Sequence, residues 1–410
     1  MLSPSTCSRH YEDTLALFDR AEISVGKQLG KGGFSNVYEI KSFRSESSAK
    51  RKSWTTANQM IIRSYYRENA TNQYDGKSNY VLKHLKPSLM TTPKAFQMAA
   101  VDLAVEAHFL SSFRHPHILK LRGIAGDGIE AYKSGQHDGY FLIFDRLQET
   151  LEERLEKWRR QDDLNQHESF SALVERMKAA TINHDPHGGD YSEPLKYASQ
   201  IASALAYMHE RDIIYRDLKP SNCGINAHGD IQIFDMGFTR QLPASVVRDL
   251  DSTYNMTGRI GTLRYMSPEN ALYKPYNLKS DVYSWSILFW ELLSLEMPYH
   301  SLTRERFLAN VCKRGKRHRL NHSWPKPVRD LIQRSWSERI SVRPTMDEIC
   351  SILESIQQKE EPRRRTRSIV LELPPSFEIE NRELGNGTKS TATSVTRESS
   401  TVVTQQRLPV

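Results

Sequence analysis

The chain has 410 residues, 38% hydrophobic and 26% charged, with a formal net charge of +8 and four cysteines. That length suits one two-lobed domain with tails, or two domains, and the charge favours acidic ligands in general without pointing to nucleic acid. Cys7, Cys223, Cys312 and Cys350 form no CxxC pair, so zinc-finger spacing is excluded and a disulfide framework is disfavoured.

The N-terminus lacks the basic-then-apolar order of a secretory leader. The longest apolar block, ILFWELL from Ile287, is far shorter than a membrane span. The expectation is an intracellular protein, cytoplasmic or nuclear. Residues 1–22 are polar and read as a lead-in in which LALF, from Leu15, is able to pack on the domain. ISVGKQLGKGGFSNVYEI reads as two strands joined by a glycine turn. Gly30, Gly32 and Gly33 can adopt positive φ, and without a Cβ they let backbone N–H groups approach a phosphate. By itself such a hairpin specifies no more than a turn.

Residues 44–78 are rich in Ser, Lys, Arg and Asn and read as an inserted, disordered surface loop, with IIRSYY as the stretch able to dock. YVLKHL then resumes as a strand and carries Lys83. From about Pro93 to Phe113, Ala99, Leu103, Ala104, Ala107, Leu110 and Phe113 recur on one helical face, and Glu106 lies on the same helix. LKLRGI and YFLIFDRL are two further strands, and LEERLEKWRR is a charged helix. Residues 160–190 read as a second polar surface insertion. His184, Asp185, His187 and Asp190 within it have no diagnostic metal spacing. Leu195, Ala198, Ile201, Leu205 and Met208 mark an amphipathic helix to His209.

Ile213 to Gly237 holds three side chains at spacings that phosphoryl transfer needs. Asp217 lies in YRD, Asn222 is five residues later, and Asp235 opens DMG after the apolar IQIF. Loop, short strand, turn and short strand can bring all three to one edge. A base must accept a hydroxyl proton, and two oxygen ligands must hold magnesium on a polyphosphate. Beyond lie GTLRYMSPE, an all-round apolar helix SDVYSWSILFWELLS, and the helices PVRDLIQRSW and RPTMDEICSILESI. Residues 356–410 shift in composition and read as a disordered tail, with RRRTRS as a solvated basic run or an import or phosphorylation signal.

In this order the glycine loop, Lys83, Glu106, YRDLKPSN, DMG, SPE, the SDVYSW helix and a late RP resemble the eukaryotic protein kinases over about residues 23–355. Three positions depart: Tyr215 stands for His, Met236 for Phe, and Ser35 for the third glycine. The resemblance implies an α+β, two-lobed fold. Residues 23–147 would form a small antiparallel sheet with one main helix, and residues 148–355 a larger, mostly helical lobe. It implies ATP and Mg2+ as cofactors, protein substrates with Ser or Thr acceptors, an upstream kinase acting on the activation segment, and no nucleic acid.

Under that resemblance the glycine loop, Leu29, Gly30, Lys31, Gly32, Gly33, Phe34, Ser35, Asn36 and Val37, covers the nucleotide. Val81 is the roof of the adenine pocket, Phe144 its back, Asp145, Arg146 and Leu147 its hinge, and Gly224 its floor. Lys83, held by Glu106, contacts the α- and β-phosphates. Asp217 is the base, Lys219 offsets charge on the moving phosphoryl group, and Thr262 bridges base and lysine. Asn222 and Asp235 hold magnesium. Lys219 and Thr262 imply serine/threonine specificity, and SDVYSWSILFWELLS with Trp336 and RPTMDEI resembles the tyrosine-kinase-like branch.

The resemblance also implies a Glu269–Arg343 pair, an anchor for the catalytic loop at Asp281, and a basic pocket at Arg216 for a phosphate on Thr257 or Thr253. A pseudokinase, keeping the fold as a nucleotide-binding scaffold, is the alternative that Tyr215, Met236 and Ser35 suggest, although none removes a reacting group. The adenine pocket departs further. Val81 replaces the usual Ala of the roof, Gly224 replaces a large aliphatic floor, and Phe234 precedes Asp235. Either the purine sits lower or a neighbouring side chain fills the gap.

Overall fold

In the computed structural model of the chain, the described residues are 15–44, 54–72, 75–167, 185–243, 253–258 and 260–371. The runs YVLKHL and FLIFD become β4 (Tyr80–Leu85) and β6 (Phe141–Asp145), the centre of a six-stranded sheet. Their near-total burial explains why they read as almost continuous apolar segments. The sheet order is β1-β5-β6-β4-β3-β2, with β1 (Ala16–Phe18), β2 (Ile23–Lys31), β3 (Ser35–Phe43) and β5 (Leu121–Ala125). Every pairing is antiparallel except β1 on β5, which is parallel with Ala16 opposite Gly123.

LALF is therefore a strand of the sheet rather than a lead-in to it. Leu15, Leu17 and Phe18 are all buried there, and burying an aliphatic or phenyl side chain of this size stabilises by about 1.5–3 kcal/mol. The inserted segment also differs from its expected form. Residues 57–68 form a helix, α1 (Ala57–Glu68), capped by Thr56, so among the described residues the small lobe has two α-helices rather than one. Its buried face is Gln59, Arg63 and Tyr66, spaced for one side of a helix but mostly polar, so no apolar period betrays it.

Each of those residues has a partner in β1 or beside it. Gln59 accepts from the Leu17 N–H at 2.8 Å and donates to the Leu15 carbonyl at 2.7 Å, which satisfies backbone on the outer strand of the sheet. Arg63 makes a buried ion pair with Glu22. Tyr66 packs edge-on against Phe18 and Tyr80, with centroids 6.0 and 5.0 Å apart.

The main helix, α2 (Pro93–Ser112), lies as expected, with Ala99, Leu103, Glu106, Ala107 and Leu110 buried. The larger lobe is built on α3 (Leu151–His167), α4 (Ser192–His209), α5 (Lys279–Ser294), α6 (Lys326–Ser335) and, as far as Glu361, α7 (Met346–Leu371). Every residue of α5 from Lys279 to Leu293 is buried. Short strands frame the catalytic stretch. β7 (Glu149–Thr150), β9 (Cys223–Ile225) and β10 (Ile231–Ile233) form one small sheet, and β8 (Ile213–Ile214) pairs with β11 (Arg240–Gln241).

Of the second insertion, residues 168–184, and with them His184, lie outside the described residues. Its end is tied down: His187 bonds the Leu292 carbonyl at 2.8 Å and Asp185 accepts from the Tyr191 hydroxyl. Among the described residues no group of three or more His, Cys, Asp or Glu side chains could hold a metal. Helix α7 continues to Leu371, past the point where the tail was expected to begin; its Gln, Lys, Glu and Arg residues are good helix formers. The chain divides into two compact units, residues 1–361 and 362–410. Of the second, the described part is the end of α7. No helix among the described residues is long and apolar enough to cross a membrane.

Candidate active site

Asp217 sits 4% exposed, with both carboxylate oxygens engaged. Oδ1 accepts from the Thr262 N–H at 3.0 Å and from Thr262 Oγ1 at 3.2 Å. Oδ2 accepts from Lys219 Nζ at 2.7 Å and Asn222 Nδ2 at 2.9 Å. Two of these partners lie two and five residues along the same loop. Thr262 arrives from far downstream, and Gly261 makes its approach possible. Gly261 has φ of +102°, and a Cβ there would stand 2.5 Å from the Arg216 carbonyl.

Burial pushes the Asp217 carboxyl above its ordinary range, with Lys219 opposing. Asn222 spends its amide nitrogen on Asp217, including a 3.0 Å bond to the Asp217 carbonyl, which leaves its amide oxygen as the group suited to a hard cation. The loop is anchored from α5. Asp281 accepts the N–H groups of Tyr215 and Arg216 at 2.8 and 2.9 Å and bonds His209 at 3.0 Å.

Across the cleft, Lys83 projects from β4 to Glu106 Oε2 at 2.6 Å and Asp235 Oδ1 at 3.3 Å. Burial lowers the lysine pKa, but the two carboxylates outweigh it and hold the ammonium charged. Burial pushes Glu106 up to about 7, against the pull of Lys83. Asp235 comes after β10 in a left-handed conformation, φ +65°. A cavity of about 90 Å³ lies between these groups and the glycine turn, lined also by Asp102. It offers one cation, backbone N–H groups and carboxylates: the donor set a magnesium-bound polyphosphate requires.

The profile of the family described as protein tyrosine and serine/threonine kinase matches residues 23–353. The chain belongs to that family. Serine/threonine-protein kinase STY17 of Arabidopsis thaliana is 32% identical over 162 residues, 40% of this chain and 27% of that protein. Serine/threonine/tyrosine-protein kinase HT1 of the same plant is 31% identical over 174 residues, 42% of this chain and 43% of that protein. A putative mitogen-activated protein kinase kinase kinase 7-like protein of Drosophila melanogaster is 29% identical over 234 residues, 50% of this chain and 57% of that protein. The chain spans less than two thirds of each of these relatives.

In this kinase the glycine turn contributes backbone and space rather than unusual torsion. Gly30, Gly32 and Gly33 all keep ordinary φ, unlike the positive φ that the sequence allowed. Strand alternation divides the loop. Val37 pairs with Gly30 and with Lys83 across the ladders, on the Lys83 side of the sheet. Asn36 and Lys31 pair on the other side, and Asn36 bonds Tyr38, which stacks on His84. Their side chains therefore do not join the site. Leu29 and Phe34 are exposed, and both Phe34 and Ser35 line the cavity beside Lys83.

In the adenine region Val81 pairs with Phe144 across β4 and β6. The gap left by Gly224 is filled by a neighbour: a Cβ built there would stand 2.2 Å from Leu147 Cδ1. The Asp145 carboxylate is committed to Arg122 by two bonds of 2.8 and 2.7 Å, so only its backbone remains for a ligand.

Two of the departures from the family pattern are accommodated by packing. Tyr215 is fully buried and its hydroxyl donates to the Phe234 carbonyl at 2.5 Å, joining the catalytic loop to the residue before Asp235. A Tyr at a buried position demands such a partner, yet the sequence suggested only a filler. Met236 is buried, with Thr239 Oγ1 3.5 Å from its sulfur. Asp102 also went unnoticed, although it lies four residues before Glu106 and so on the same helical face. Arg343 and Glu269 form a buried two-pronged pair at 2.6 and 2.9 Å. Arg343 more than offsets the effect of burial and keeps the Glu269 carboxyl below its ordinary range.

Proposed function

We propose that this kinase transfers the γ-phosphoryl group of Mg-ATP to serine and threonine hydroxyls of proteins. The observation that carries the reading is the Asp217 carboxylate, buried and held at once by Lys219, Asn222 and Thr262. A carboxylate with its pKa raised by burial is a stronger base than one in water. It accepts the acceptor hydroxyl's proton while Lys219 offsets charge on the group in flight. Lys83, oriented by Glu106, binds the non-transferred phosphates, and Asn222 and Asp235 supply oxygens to magnesium. ATP and its metal supply the phosphoryl group and its charge neutralisation; the chain supplies position and electrostatics.

Lys219 and Thr262 support serine/threonine specificity, as does the name of STY17, whereas the name of HT1 includes tyrosine. The helix SDVYSWSILFWELLS supports the tyrosine-kinase-like branch. A cavity of about 400 Å³ beside Lys219 and Thr262, bounded by Leu263, Tyr265 and Phe307, is suited to a peptide chain. The location we propose with this reading is intracellular: the cytoplasm, and the nucleus in addition. A pseudokinase would bind nucleotide without transfer. Transfer of labelled phosphate to a generic protein substrate, with phosphoamino-acid analysis of the product, tests the reading. Phosphoserine or phosphothreonine from the wild type, and none from Asp217→Asn, is expected. Nucleotide binding without any transfer would favour the scaffold.

An upstream kinase acting on the activation segment belongs to the same reading. Thr257 and Thr253 are exposed, and the Thr257 carbonyl accepts from Tyr276, whose hydroxyl also contacts Arg216 at 3.2 Å. Phosphate on this segment would order it through charge-assisted bonds. Alanine at both threonines should hold the enzyme at the activity of its phosphatase-treated form; full activity in that variant would exclude this control.

A further inference from the structure

Strand β5 slips register at Arg122. Leu121 faces Phe144 and Gly123 faces Ile143, so Arg122 is the extra residue of the pair. Such a bulge re-aims a side chain. Here it sends the planar guanidinium to Asp145, where Nε and Nη2 donate to the two carboxylate oxygens in a two-pronged pair. Asp145 ends β6 and opens the segment that crosses to the larger lobe.

Both residues of that crossing are tied back to the inserted helix α1. The Tyr66 hydroxyl lies close to the Arg122 guanidinium, and its ring packs on Tyr80, the ladder partner of Asp145. Arg146 donates its N–H to the Asn79 carbonyl at 2.9 Å. Asn79 in turn donates its side-chain amide to the Asn69 carbonyl at 3.0 Å and its own N–H to the Ala70 carbonyl at 2.9 Å, at the C-terminal end of α1. Two successive crossing residues are thus gripped by one helix through different partners.

We propose that α1 is a positioning element for the nucleotide base. Tyr66 and Arg122 fix Asp145, and Asn79 fixes Arg146, so that their backbone groups meet the base edge. The insertion would then set nucleotide affinity without touching nucleotide. This rests on the ATP-dependent reading above. A brace that only stabilises the lobe is the competing role, and the Gln59 and Arg63 contacts on the β1 side already supply one.

Tyr66→Phe removes one oxygen and Arg122→Lys keeps the charge but not the fork, each in the full chain. ATP dissociation constants, steady-state kinetics with a peptide acceptor, and melting temperatures are compared. Each variant is expected to raise the ATP dissociation constant and ATP KM by about 3- to 10-fold, and the pair together no further, because both act on one link. The rate at saturating ATP and the peptide KM stay within about two-fold. Ile61→Ser, on the exposed side of the same helix, leaves all of these unchanged. Asn79→Ala, which removes the bond to the Asn69 carbonyl, is expected to raise both ATP constants likewise. Wild-type ATP affinity in both Asn79→Ala and Tyr66→Phe, with or without a lower melting temperature, would overturn the proposal and leave α1 as a brace, and should Arg122→Lys not fold, those two variants decide. A wild type that binds no ATP would instead overturn the functional reading and this inference with it.

Discussion

The catalytic loop and the inserted helix both hold buried charge against a partner, but they assemble it over different distances along the chain. Asp217 finds Lys219 and Asn222 within five residues. Arg63 reaches back 41 residues to Glu22, and Tyr66 packs on Phe18 and Tyr80, on two strands distant from it in sequence. The first kind of site is written in a local pattern. The second emerges only once the sheet has closed, because nothing near Arg63 in sequence says that a carboxylate awaits it.

The comparison can be broken most forcefully at Arg63. Arg63→Met leaves Glu22 buried with the Asp19 N–H at 2.7 Å and, as its one remaining cation among the described residues, Arg67 at 3.8 Å. Removing one partner of a buried pair costs about 3–5 kcal/mol. Denaturant unfolding should register that loss, and Arg63→Met with Glu22→Gln should recover most of it. A single variant as stable as the wild type would mean that α1 is an ornament on the lobe.

The same contrast explains what could be read in advance. YRDLKPSN and DMG specify Asp217, Asn222 and Asp235 because chemistry fixes their spacing. Glu106 was legible through the family resemblance of its helix's sequel and of Lys83; the apolar period alone marked the helix and not the residue. Helix α1 was not, since Gln59, Arg63 and Tyr66 form a buried face that looks solvated. Nor was β1, a strand too short to alternate. The filling of the Gly224 gap by Leu147 depended on side-chain direction in the crossing segment, which a sequence leaves open.

That filling gives the next prediction. Gly224→Leu should collide with Leu147 and weaken ATP binding by about 1–3 kcal/mol, and Leu147→Ala should relieve the loss. Tighter ATP binding by Gly224→Leu alone would show that the floor is open after all.

A smaller effect sharpens the electrostatic side. The Glu106 carboxyl is raised from 4.5 to about 7. Between those values the folded state binds more protons than the unfolded chain, so this group's contribution to stability falls as pH rises through that window. Activity should move the opposite way, since Lys83 is paired with Glu106 only when Glu106 is ionised, and the 3.3 Å contact to Asp235 alone does not orient it as fully. The pH profile of kcat/KM for ATP should therefore climb toward about 7 while melting temperature declines, and Glu106→Gln should remove this component of both slopes.

Single-turnover phosphoryl transfer at saturating ATP, wild type against Asp217→Asn, tests the central claim most directly. The account predicts that Asn, isosteric but unable to take a proton, abolishes transfer while ATP affinity and melting temperature stay close to wild type. Transfer by Asp217→Asn at the wild-type rate would contradict it.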